Sequence, residues 1–102
     1  MYQVVFLPIA KQDMTDIVQY ISHELSNPIA AVSLAEKLIE AAERLIEFPY
    51  INAIHQTLRP LKHEYRKQIV KNYVFFYWIE EEIKLVTVAR VLYARCDYEK
   101  LL

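Results

Sequence analysis

Apolar residues change their spacing several times along this chain, and the changes mark out its elements. Tyr2 to Leu7 (YQVVFL) reads as a short strand. Pro8 suits a first helical position, and from Ile9 the period becomes helical, with Met14, Ile17, Val18, Ile21 and Leu25 at three- and four-residue steps. Lys11, Asp13, Asp16 and Gln19 fall mostly on the other face. Ser26-Asn27-Pro28 offers Asn27 as an N-cap and Pro28 as the first residue of a second helix. That helix places Ala31, Leu34, Ala35, Leu38, Ala42, Leu45 and Ile46 on one side. It ends at Phe48-Pro49, because the residue before a proline leaves the helical region.

Tyr50 to Leu61 has no clear period and reads as a connection. Three strands follow. The first is Tyr65 to Lys71, closed by a Lys71-Asn72 turn in which Asn72 is expected to adopt left-handed geometry. The second is Tyr73 to Glu80, bulky on both faces and so expected to be central. Glu80-Glu81-Glu82 reads as a solvated turn, and Ile83 to about Leu92 is the third strand. Asp97 to Leu102 is a short helical tail or docked coil. The pattern predicts an α+β domain, β-α-α-β-β-β, with an antiparallel sheet and both N-terminal helices packed on one face.

The chain has 102 residues, which fits a single domain spanning 1–102. Hydrophobic residues make up 55% and charged residues 25%, a globular balance. Glycine is absent, so turns must use other residues, and a Gly-rich phosphate loop is excluded. The one cysteine, Cys96, cannot form an internal disulfide. No signal peptide is visible and the longest apolar run, Tyr73 to Ile79, is too short to span a bilayer, so a cytoplasmic protein is expected. The net charge of −1 hides a split: residues 1–54 carry three basic and seven acidic side chains, residues 55–102 nine basic and six acidic. That is a modest footprint for an anionic partner.

Candidate chemistry lies in the C-terminal third. Arg66, within a strand, gives a fixed fork for phosphate, or is an ordinary solvent-face arginine paired with a glutamate. Arg90 interrupts the apolar run VTVARVL and by alternation shares a face with Val86, Val88 and Leu92; a charge there is paired, snorkelled or functional. Arg59, Lys62, Lys67 and Lys71 add positive charge, although lysines at strand edges more often serve solubility and edge protection. Lys67 and Lys71 alternate away from Arg66. Tyr93 and Tyr98 flank Arg95 in the tail, where a tyrosine either stacks on a base or covers the edge of the core. His23, His55 and His63 match no metal motif, so no metal or other cofactor is expected.

Four segments in this order are similar to the RelE/ParE family of small bacterial toxins, in particular its plasmid-stabilisation branch. They are IVQYI at Ile17–Ile21, the NP-started second helix ending at FP, the hairpin YRKQIVKNYVFFYWIE, and RVLYARCDYEKLL. The resemblance implies the toxin half of a type II toxin–antitoxin pair, neutralised by a cognate antitoxin. It implies contact with operator DNA only through the antitoxin complex. One branch of the family cleaves mRNA on the ribosome without a metal. On that branch Arg66 and Arg90 would be catalytic, stabilising charge on the phosphate, and Tyr93 would stack or assist proton transfer. Arg59, Lys62, Lys67, Arg95 and Tyr98 would bind the substrate. The other branch poisons DNA gyrase and is not a nuclease. Net charge −1, and Leu92 rather than a histidine before Tyr93, depart from the nuclease pattern. The expectation is nevertheless a ribosome-dependent endoribonuclease that inhibits translation. The alternatives are a gyrase poison and a weak member serving antitoxin binding and autoregulation.

Overall fold

The computed structural model describes residues 1–57, 60–96 and 98–102, with Glu99 described by its backbone only. The elements are β1 (Gln3–Phe6), α1 (Pro8–Gln19), α2 (Pro28–Glu47), β2 (Arg66–Val70), β3 (Tyr73–Glu80), β4 (Leu85–Tyr93) and a final short helix α3 (Tyr98–Leu101). Pro8 starts α1 and Pro28 starts α2. The Asn27 side chain accepts a hydrogen bond from the Ala30 N–H at 3.1 Å, which satisfies one of the orphan donors of α2. α1 runs on as a π-helical turn over Tyr20–Glu24. The wider turn departs from the 3.6 period, and Leu25 is exposed rather than on the core face.

The sheet order is β1-β4-β3-β2. β2, β3 and β4 form the expected antiparallel meander, with β3 and β4 central. β1 joins parallel to β4, so the sheet is mixed. A parallel partner needs a long crossover, and α1 and α2 with the chain up to β4 supply it.

Both faces of the sheet carry a core. On one, Ala10 of α1 and Leu34, Leu38, Ala41 and Leu45 of α2 pack on Val70, Phe75, Tyr77, Val86, Val88 and Val91. On the other, Tyr65, Val74, Phe76, Ala89 and Leu92 are covered by Leu61, Trp78, Cys96, Tyr98 and Leu102. The tail therefore docks across the face opposite the helices.

With no glycine in the chain, other residues take up left-handed backbone, and two turns differ from expectation. Positive φ falls on Ser26 (48°), Lys71 (54°) and Lys84 (51°). In the β2–β3 turn it is Lys71 and not Asn72 that is left-handed. The Asn72 carbonyl accepts the Ala94 N–H at 2.8 Å, which ties this turn to the end of β4. The acidic turn becomes a 3-10 turn, Glu81–Ile83, so β4 begins at Leu85. Glu81 is also more than solvated: it accepts hydrogen bonds from the hydroxyls of Tyr2 (2.7 Å) and Tyr50 (2.8 Å) and pairs with Lys84. These donors hold its carboxyl down at about 2, Lys84 contributing most.

Candidate functional site

Arg66 begins β2 opposite Tyr77, which places it on the helix-side face of the sheet. Its surroundings are built by the chain leaving α2. The Tyr77 hydroxyl, fully buried, donates to the Pro49 carbonyl at 2.6 Å and accepts from Asn52 Nδ2 at 3.1 Å. Asn52 Nδ2 also donates to Gln68 Oε1 at 2.7 Å. These bonds tie the connection to β2 and β3, and burial pushes the Tyr77 hydroxyl pKa up. The tethered connection then holds Arg66: Nη1 donates to the Asn52 carbonyl at 2.7 Å, and the guanidinium lies 5.0 Å from the centre of the Tyr50 ring. Among the described residues no carboxylate is within ion-pair distance of Arg66. The plainer of the two readings of Arg66, a pairing with a glutamate, is not found among the described residues.

Arg66 lines a polar cleft with Tyr50, Lys62, His63 and Trp78, and Glu64 and Glu80 also line it. The His63 ring stacks on Trp78 at 3.7 Å and 1°. Tyr65 meets Trp78 edge-on, so a rigid aromatic wall closes one side.

Arg90 is in a different environment. β4 has a bulge: Phe76 faces Arg90 and Tyr77 faces Val88, leaving Ala89 without a partner. The extra residue reverses the alternation. Val86 and Val88 point to the helix side while Leu92 belongs to the opposite core, so Arg90 does not share one face with all three. Its guanidinium grips Asp13 of α1 through Nε (2.8 Å) and Nη2 (2.9 Å), and Nη1 donates to the Leu101 carbonyl at 3.2 Å. Asp13 also accepts the Val91 N–H at 3.0 Å. This carboxylate therefore caps the stretch of the β4 edge that lies beyond β1. Both side chains of the pair are about 15% exposed (16% and 14%). Asp13 raises the Arg90 pKa above its ordinary value. Asp13 was expected on the solvent face of its helix; it joins α1, β4 and the tail instead.

Tyr93 ends β4 opposite Tyr73, against which its ring packs edge-on at 5.8 Å. It lines a groove of about 720 Å³ with Tyr20, Asn27 and Lys71. Arg66 and Tyr93 are thus held at separate ends: four residues along β3, or about 13 Å, and roughly 10 Å across two strand spacings.

The remaining candidates are scattered. Lys62 is exposed beside Arg66. Lys67 faces Phe76, on the face opposite Arg66, as its alternation predicts. Arg95 is exposed in the turn after β4. Tyr98 packs on Phe76 at 4.7 Å and donates to the Ala94 carbonyl, the edge-covering role for a tail tyrosine. Arg59 lies outside the described residues. Sequence reasoning missed Asp13, Tyr50, Asn52 and the His63–Trp78 stack. None carries a local signal, since Asp13 and Arg90 are 77 positions apart. Among the described residues no group of acids, histidines and cysteine is placed to hold a metal, and no helix is long and apolar enough to cross a membrane.

The fold is similar to that of several solved toxins. The chromosomal ParDE toxin–antitoxin system of P. aeruginosa matches with a TM-score of 0.74 at 14% identity, covering 93% of this chain and 98% of the other. The RelBE2 toxin–antitoxin complex of Mycobacterium tuberculosis matches at 0.61 and 20% identity, covering 90% and 96%. The isolated E. coli RelE toxin matches at 0.57 and 21%, covering 99% and 95%. No curated protein sequence matches significantly. The family model of the ParE toxin of type II toxin–antitoxin systems matches residues 4–98. With almost the whole chain matched, from β1 to the start of α3, this protein belongs to the ParE toxin family of type II toxin–antitoxin systems.

Proposed function

We propose that this toxin acts by binding DNA gyrase and not by cutting mRNA. The observation that supports this most is the dispersal of the nuclease candidates. A metal-free attack of a ribose hydroxyl on phosphate needs base, cation and acid around one phosphorus. Arg66 and Tyr93 stand at opposite ends of the sheet, and Arg90 already has Asp13 as its counter-charge. A net charge of −1 also suits a protein target better than the ribosome, where counterion release favours basic proteins.

A cognate antitoxin neutralises the toxin in this scheme, in the cytoplasm. Its docking surface is the helical face: Ile29, Val32 and Ile39 of α2 are 83%, 59% and 59% exposed. Beside them a groove of about 400 Å³ runs between the helices and β1, lined by Val4, Phe6, Met14, Val18, Leu38 and Ile46. An amphipathic antitoxin segment would bury both. Operator DNA is then reached only through the antitoxin complex.

The test is a supercoiling assay with purified gyrase, run beside cell-free translation with primer extension on the mRNA. Inhibited gyrase with intact transcripts is expected. Ribosome-dependent cuts at defined codons, with gyrase unaffected, would replace this function with the endoribonuclease one. The feature that favours that second reading is Arg66, a strand arginine held in a cleft without a carboxylate partner among the described residues.

A further inference from the structure

We infer that the Arg66 cleft is a receptor for one carboxylate side chain of the toxin's protein target, an aspartate or glutamate on an exposed acidic segment. The inference rests on the reading of the protein as a toxin that works by binding a protein. Arg66 is held before any ligand arrives: Nη1 donates to the Asn52 carbonyl and the guanidinium carbon lies 5.0 Å from the centre of the Tyr50 ring, itself anchored through its hydroxyl to Glu81. Nε and Nη2 make no hydrogen bond to a described residue. That pair of donors is the side of the guanidinium that takes a carboxylate in bidentate fashion. Little side-chain entropy remains to be lost on binding, because the tether has already removed it.

The rest of the cleft suits an amino-acid side chain. Lys62 supplies a second positive charge, and the His63–Trp78 stack gives a flat apolar wall for the methylenes that lead to the carboxylate. Size is in proportion, at about 330 Å³. Charge decides between a carboxylate and a nucleic-acid backbone. Glu64 and Glu80 are exposed and line the same cleft, so they repel any anion there, and a backbone that brings several phosphates is repelled more than a single carboxylate held on Arg66.

Trp78 is the one tryptophan of the chain and lines the cleft, so it reports occupancy directly. The protein is titrated with a blocked Ala-Glu-Ala tripeptide, its Ala-Gln-Ala counterpart and uridylyl-adenosine, following Trp78 fluorescence and its indole N–H signal in NMR. The glutamate peptide is expected to saturate the signal in the millimolar range and the glutamine peptide to leave it unchanged. R66Q is expected to weaken binding about tenfold or more, and R66K to recover part of it. K62Q, which disturbs no tether, is expected to weaken it a few-fold. No saturable response to the glutamate peptide by about 20 mM, or an equal response to the glutamine peptide, overturns the inference. Tighter binding of uridylyl-adenosine than of the peptide also overturns it and makes the cleft a nucleotide site. Gyrase assays on the same samples separate the two ideas. Peptide binding without gyrase inhibition removes the proposed target and keeps the carboxylate receptor. Gyrase inhibition unchanged in R66Q, with no peptide binding, removes the receptor and keeps the target.

Discussion

Removing Asp13 separates a structural Arg90 from a catalytic one. D13A deletes a carboxylate that accepts from Arg90 Nε, Arg90 Nη2 and the Val91 N–H, all within 3.0 Å. Charge-assisted bonds of this kind contribute roughly 1.5–3 kcal/mol each and do not add fully. Breaking a fully buried pair costs about 3–5 kcal/mol. Because the partners here are 16% and 14% exposed, solvent recovers part of that. The expected loss is about 2–4 kcal/mol, a large share of the stability of a domain this size. It corresponds to a fall in Tm of roughly 10–20 °C. R90A should cost a similar amount, and in urea denaturation the double mutant should cost little more than either single, giving a coupling of about 1–3 kcal/mol. Toxicity in cells should then fall in parallel for D13A and R90A, following the folded fraction. Single mutants that each cost under about 0.5 kcal/mol, with additive effects, would refute the clamp. A stable, folded R90A that is inactive beside an active D13A would restore Arg90 to the chemistry.

Y77F removes the hydroxyl that joins Pro49 and Asn52, and should cost about 1–2 kcal/mol in urea denaturation while loosening the Arg66 cleft; a change below about 0.3 kcal/mol would show that the connection is held otherwise. K71G relieves a left-handed lysine at φ 54° and should raise stability by roughly 0.5–1 kcal/mol; an unchanged or lower Tm would show that the turn carries no strain. Glu81 ionises at about 2 in the folded chain against an ordinary 4.5, so the unfolded chain takes up the proton first. Its contribution is therefore present above pH 4.5 and lost as pH falls towards 2, and E81Q should flatten the acid side of a Tm-against-pH curve; a curve that overlays the wild type rules out this role.

Local physics accounts for what was readable in the chain alone. The caps at Asn27 and Pro28, the stop at Phe48-Pro49 and the helical spacing of α2 depend on neighbours within about four residues, and each falls where the pattern places it. The same holds for the strands β2 and β3, whose alternation is local, and for the opposite facing of Lys67 and Arg66. The family resemblance rests on the order of such segments, and the match over residues 4–98 agrees with it.

What needed the tertiary structure was anything decided by residues far apart. The parallel seat of β1 beside β4 depends on how two helices return the chain to the sheet, which no pattern within β1 encodes. The bulge at Ala89 is one extra residue measured against a partner strand, so alternation counted along β4 alone puts Arg90 on the wrong face relative to Val86 and Val88. Arg90 looked like a charge in need of a function because its counter-charge, Asp13, lies 77 positions away on a helix face that reads as solvent-exposed. Arg66 looked like a charge in want of a glutamate, and folding gave it a carbonyl and a tyrosine ring in place of one. Spacing along the chain is enough to say which charges sit in strands. Which of them are neutralised depends on packing, because a short-range ion pair rests on a distance that only the folded arrangement sets.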